Sequence, residues 1–202
     1  PKKLRKTRRR LRPMPDTVGT VRQLQDQIDA ISAEHAAETR DDYRIPSDDP
    51  EYKRAKKRAL NILSARDHSS AELREKLLKK EHPEDVVDTL IDKLTNANLL
   101  DDRAYAHGYV RAQRQSRSLS KKALRLQMRK KGLPDGAVAE ALDDVQAEDE
   151  HELAFSVAMK KAHSTRGLPR EVRERRILGM LARRGFPTGI CLDVTRRALD
   201  EV

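Results

Sequence analysis

The sequence holds 202 residues, 38% of them charged and only 3% aromatic, which allows one or two domains but no thick aromatic core. One cysteine, Cys191, excludes an intramolecular disulfide framework. No run approaches the roughly 20 apolar residues of a membrane span, and the basic start lacks the apolar stretch of a signal peptide, so a cytoplasmic protein without a membrane partner is expected.

The net charge of +10 is unevenly distributed. Residues 1–12 carry eight basic groups and no acid, a basic arm that is either a solvated tail or a contact for nucleic acid. Residues 13–50 carry three basic groups against nine acids. Within them Val21, Leu24, Ile28 and Ile31 have the spacing of a short amphipathic helix, and the acidic, proline-bearing run 39–50 reads as a linker. From residue 51 onward the chain is basic again, with 32 basic groups against 24 acids. That balance suggests a polyanion, or a partner lined with acids or holding nucleic acid.

The remainder is one pattern written three times. Leu73, Leu77, Lys80 and Pro83 recur 51 residues later as Leu124, Met128, Lys131 and Pro134, and 53 residues after that as Ile177, Leu181, Arg184 and Pro187. A period of about fifty with helical spacing throughout predicts an all-α fold of three tandem three-helix repeats, elongated and curved, each covering its neighbour's apolar face. The expected divisions are residues 51–98, 99–147 and 148–202, with 1–50 as a largely flexible preface. In the first repeat Ala55, Ala59 and Ile62/Leu63 mark one helix, Ser69 or Ser70 caps the next, and Val86/Val87, Leu90/Ile91 and Leu94 mark a third that Pro83 opens from its first turn. Asp101 or Asp102 caps the first helix of the second repeat, with Tyr105, Tyr109 and Val110 facing inward. Val138, Ala141 and Leu142 mark its last helix. Leu153, Phe155 and Val157/Ala158, then Ile190, Val194 and Ala198, do the same in the third. Gly132 and Gly185 follow the middle helix, where a left-handed residue ends it, so Gly132 is expected to accept Asn but not Val. Glu81 fills that slot in the first repeat, and a different turn is expected there.

The second repeat is the most basic. From Arg103 to Pro134 there are ten lysines or arginines and no acid. On a helix Leu124 and Met128 share one face, while Lys121, Lys122, Arg125, Arg129 and Lys130 spread over the opposite arc with Leu126 among them. A solvated face usually interleaves acids, so this arc reads as a binding surface, joined by Arg111, Arg114 and Arg117 upstream and Arg183 in the third repeat. The doublets Lys79-Lys80, Lys130-Lys131 and Arg183-Arg184 first suit the negative end of a helix dipole. Tyr105 and Tyr109 could stack on bases but fit a core as well. The six histidines have no metal-ligand spacing with Cys191, and there is no Gly-rich phosphate loop or nucleophile elbow, so neither catalysis nor a cofactor is expected.

These residues resemble the RecX family of regulators of the RecA recombinase. Arg66, Ser69 or Ser70, Glu72-Leu73 and Lys76-Leu77 resemble the family's opening signature. Leu99-Leu100-Asp101-Asp102 with Ala104-Tyr105-Ala106 and Tyr109-Val110 resembles its most recognisable stretch, and Arg183-Arg184-Gly185-Phe186 resembles its closing one. The resemblance spans residues 53–202, and Glu81-His82 departs from the usual Gly-apolar pair. It implies three three-helix repeats without enzymatic activity. It also implies binding to the recombinase–single-stranded DNA filament, damping of its ATPase and strand exchange, and a place in DNA repair, recombination and the SOS response. A monomer is expected. The alternative is an autonomous DNA-binding array that takes single- or double-stranded DNA on its basic surface.

Overall fold

The structure is a computed structural model and describes residues 48–202. The expected basic arm, amphipathic helix and most of the acidic linker lie outside the described residues. Those described form helices only, in three groups of three. The first unit contains α1 (Pro50–Ala65), α2 (Ser70–Leu78) and α3 (Glu84–Asn96). The second contains α4 (Asp102–Arg117), α5 (Lys121–Lys130) and α6 (Asp135–Asp143). The third contains α7 (Ala147–Ser164), α8 (Arg170–Arg183) and α9 (Thr188–Asp200).

Local chemistry sets the helix starts. The Asp49 carboxylate accepts from the N–H groups of Glu51 and Tyr52 ahead of α1, and Asp101 accepts from Arg103 and Ala104 ahead of α4. Ser69 and Ser120 cap α2 and α5, each hydroxyl accepting at 3.1 Å from the N–H three residues on. Pro83 stands just before the first turn in which it is expected, and Pro134 and Pro187 take the same place in the other two units. Each is the N-cap itself rather than the first helical residue, with ψ near 140°. The slot suits proline because the cap contributes a carbonyl, which accepts the first helical bond from Val87, Val138 and Cys191 in turn.

Three separate apolar clusters follow, one per unit. Leu73, Leu124 and Ile177 are each fully buried in the same slot, and so are Leu77, Met128 and Leu181. Burial of each such side chain contributes about 1.5–3 kcal/mol. Every pair of helices in substantial contact belongs to a single unit. Leu99 and Leu100 pack on the first cluster, past the expected division at residue 98. Tyr105, Tyr109, Leu153 and Phe155 are half-buried rather than central. Ala106, Ala154 and Ala158 take the inner positions, letting helices of these thin units approach closely.

All three middle helices end in one turn. Glu81, Gly132 and Gly185 have φ of 62°, 72° and 81°, so the first turn does not differ although it lacks glycine. The residue after each donates back to Leu77, Met128 or Leu181, closing the left-handed cap.

Candidate partner and nucleic-acid interface

The units meet edge to edge through one arrangement used twice. At the first junction the Ser69 hydroxyl donates to the Lys131 carbonyl at 2.8 Å, and the Ser70 N–H donates to Asp102 at 2.9 Å. At the second, the Ser120 N–H donates to the Arg184 carbonyl at 3.0 Å and the Lys121 N–H donates to Glu150 at 2.8 Å. The start of one unit's middle helix thus rests on the left-handed turn ending the next unit's middle helix. Both serines are fully buried, and the Glu150 side chain is nearly so, at 9% exposure, its acceptor role explaining its position. A Cβ on Gly132 would lie 2.3 Å from that of Ala71, and one on Gly185 would lie 2.8 Å from both the Ala123 Cβ and the Ser120 hydroxyl. Glycine is required there by close approach as well as by φ, so Asn is excluded at Gly132 along with Val.

The first junction adds charge. Glu72 accepts from Lys131 Nζ at 2.6 Å and from the Tyr105 hydroxyl at 3.1 Å, with Arg66 3.6 Å away. Burial would raise the Glu72 pKa, but Lys131, Tyr105 and Arg66 together hold it down at about 2. The Lys131 ammonium, despite burial, is held protonated by Glu72 and Tyr105. Its Nζ lies 5.9 Å and 5.5 Å from the ring centres of Tyr105 and Tyr109, which stack at 6.2 Å. At the second junction Ala123 stands in the slot of Glu72, and Arg184 instead donates to the Arg117 carbonyl at 2.9 Å.

The structure separates the nine expected binding residues into groups. Lys122, Arg125, Arg129 and Lys130 lie exposed along α5 together with Leu126, which is 56% exposed. Arg129 meets Asp135 at 2.9 Å, a solvent-exposed pair of the kind worth about 0–1 kcal/mol. Lys121 is half-buried in the second junction, where its ammonium donates to the Val145 carbonyl at 3.1 Å. Arg114 is half-buried beside it and reaches the Asp149 carbonyl at 3.4 Å. Arg117 lines a cleft between the first two units. Arg111 is exposed on α4, and Arg183 is exposed at the end of α8, in the third unit. Lys131 and Glu72 were not among the expected site residues. Their only signal was a lysine before Gly132 and an acid near a cap, each with a local explanation. Among the described residues no group of three or more His, Cys, Asp or Glu side chains is placed to hold a metal, and no helix is long and apolar enough to cross a membrane.

The chain matches, in order, the first three-helix domain of RecX over residues 55–94, the second over 101–142 and the third over 148–195. The chain belongs to the RecX family. Each RecX domain falls within one of the three units described above. The protein named Regulatory protein RecX from Corynebacterium efficiens is 39% identical over 151 residues, covering 72% of both chains. Its namesake from Thermobifida fusca is 31% identical over 169 residues, covering 83% of this chain and 91% of that one. Among solved structures, RecX from Lactobacillus salivarius superposes with a TM-score of 0.64 at 26% identity, covering 75% of this chain and 98% of that chain. A second crystal structure of regulatory protein RecX gives 0.63 at 27% identity, covering 72% of each.

Proposed function

We propose that this chain is a non-enzymatic, monomeric, cytoplasmic regulator of a RecA-type recombinase, an inhibitor that engages the recombinase–single-stranded DNA filament and so modulates recombinational repair. The observation that carries the reading is the exposed basic face of α5, a helix with no acid of its own and only Arg129 paired, to Asp135, in a chain whose relatives are named regulatory proteins. Lys122, Arg125, Arg129 and Lys130 project away from the buried Leu124 and Met128, so the face is available to phosphates or to acids lining a filament groove. Arg111, Arg114, Arg117, Lys121 and Arg183 extend or support it.

The experiment reverses the four exposed charges together, K122E, R125E, R129E and K130E. Surface changes of this type move stability by about 0.5 kcal/mol or less each, so the variant folds. Its inhibition of recombinase ATPase is expected to fall at least tenfold. A fully inhibitory, normally folded variant would place the effector surface elsewhere. The basic face also favours a second reading, autonomous DNA binding. Direct affinity for DNA, measured against salt, separates the two. If DNA contact alone inhibits, the wild-type salt slope falls by about 3 in the variant and inhibition tracks DNA affinity. If the filament protein is the target, inhibition falls further than DNA affinity.

A further inference from the structure

Between the first and second units lies a cleft of about 770 Å3. One wall is the face of α4 that carries Tyr105, Gly108, Tyr109 and Ala112. The other is the end of α1 and its following loop, with Leu63, Arg66 and His68. Nothing lies within 4 Å of where a Cβ on Gly108 would be, so bare backbone faces open space between the two tyrosines. Arg66, Arg117 and Lys131 stand in the lining, a surplus of positive charge even with Lys131 and Arg66 sharing the single Glu72 carboxylate at 2.6 Å and 3.6 Å. Asp67 and Asp101 stand there too, but the Asp101 carboxylate is committed to the start of α4.

We propose that this cleft receives an unpaired nucleotide of a single-stranded nucleic acid, its base against the Tyr105–Tyr109 pair and its phosphates toward Arg66, Arg117 and Lys131. The inference rests on the reading that nucleic acid is among the chain's partners. Four observations favour it. Two stacked rings, with a cation fixed over both, present π surface and positive charge together, the combination that takes bases and backbone without regard to sequence. The missing side chain at Gly108 lets a planar group approach the helix closely. The Gln113 amide oxygen, in the same lining, is buried with no hydrogen-bond partner among the described residues, an acceptor for an N–H of a base such as the ring N–H of thymine. The volume falls within the roughly 300–1,000 Å3 of sites for small ligands. A duplex, whose bases are stacked inside, offers no free base to such a cleft.

The test uses the full chain, fluorescein-labelled oligothymidylate of twelve residues and a blunt-ended duplex of twelve base pairs, read by fluorescence anisotropy. G108L adds a side chain whose Cβ meets nothing within 4 Å, at a residue that lines the cleft. Y109L removes a ring, and Y109F keeps the ring while losing the hydroxyl's bond to Gln127. G108L and Y109L are expected to weaken oligothymidylate binding on the order of tenfold and to leave duplex binding unaffected, with Y109F close to wild type. The unfolding midpoint of G108L verifies its fold independently of Y109L. Unchanged affinity in both variants overturns the proposal, as does an equal loss for oligothymidylate and duplex. If the wild type itself fails to bind oligothymidylate, the nucleic-acid reading falls and the cleft proposal with it. A loss of recombinase inhibition by G108L in that case would assign the cleft to an acidic protein segment instead.

Discussion

Gly132 shows how one residue can answer two demands. Its φ of 72° would strain any L side chain by about 1 kcal/mol, and Ala71 leaves no room for a Cβ at 2.3 Å. Both G132A and G132N are therefore expected to lower the urea midpoint, by the equivalent of about 2–4 kcal/mol once strain and overpacking are combined. G136A, where a Cβ meets nothing within 4 Å and the helix prefers alanine, is expected to hold or raise it. Equal midpoints for G132A and G136A would show that Ala71 yields at little cost. Glu72 makes a prediction about pH. Its pKa is about 2 in the folded protein against 4.5 in the unfolded chain. A depressed carboxyl stabilises the fold above the unfolded value, and that contribution is lost as pH falls towards the folded one. The melting-temperature gap between wild type and E72Q is thus full above about pH 4.5 and narrows as pH drops towards 2. A gap independent of pH would mean that the Glu72–Lys131 pair contributes nothing.

At the scale of the element, α5 joins two surfaces of opposite character. Its buried side was legible in the sequence because Leu124 and Met128 repeat the spacing of Leu73 and Leu77, and its cap was legible because Ser120 precedes it. These are local patterns, readable within a dozen residues. Its edges were not legible. Ser69 meets Lys131 across 62 positions, and Lys121 meets Val145 across 24. No periodicity marks a bond between two loops that approach only after each unit has folded. Lys121 therefore looked like part of the free basic arc when it is anchored in a junction, and Lys131 looked like a helix-end cation when it bridges two units. The tyrosines were ambiguous for a related reason. The i, i+4 spacing places Tyr105 and Tyr109 on one face but does not tell a core from the wall of a cleft. Leu126, exposed amid the α5 cations, supplies the prediction at this scale. L126Q should shift stability by no more than about 0.5 kcal/mol. With a protein partner on α5, inhibition of the recombinase drops while DNA affinity holds; if DNA is the only partner, neither changes.

For the molecule as a whole, the two junctions share a lock whose parts are missing at both outer ends. Incoming contact requires a residue without a side chain at the left-handed turn, and the first unit has Glu81 there. Outgoing contact requires a serine cap four residues before the core leucine or isoleucine. In the third unit that place belongs to Arg173, buried inside an α8 that begins earlier and is capped by Pro169. Arg173 reaches back to the Ala162 carbonyl of its own unit at 3.4 Å. Arrays built from like units generally need atypical ends to stay soluble. Here the two outer ends each lack one half of the lock. A third unit is therefore not expected to lock onto the first unit of another chain, since Glu81 carries a side chain at one half of the lock and Arg173 stands in place of the serine at the other. Light scattering should accordingly report one mass for the described region as concentration rises. E81G alone should leave that mass unchanged, since it opens only one half of the lock. Growth into filaments on E81G alone would show that the serine is dispensable. Copies that stacked through this lock would form a polymer of their own, and Glu81 and Arg173 each withhold one of the two halves such stacking would use.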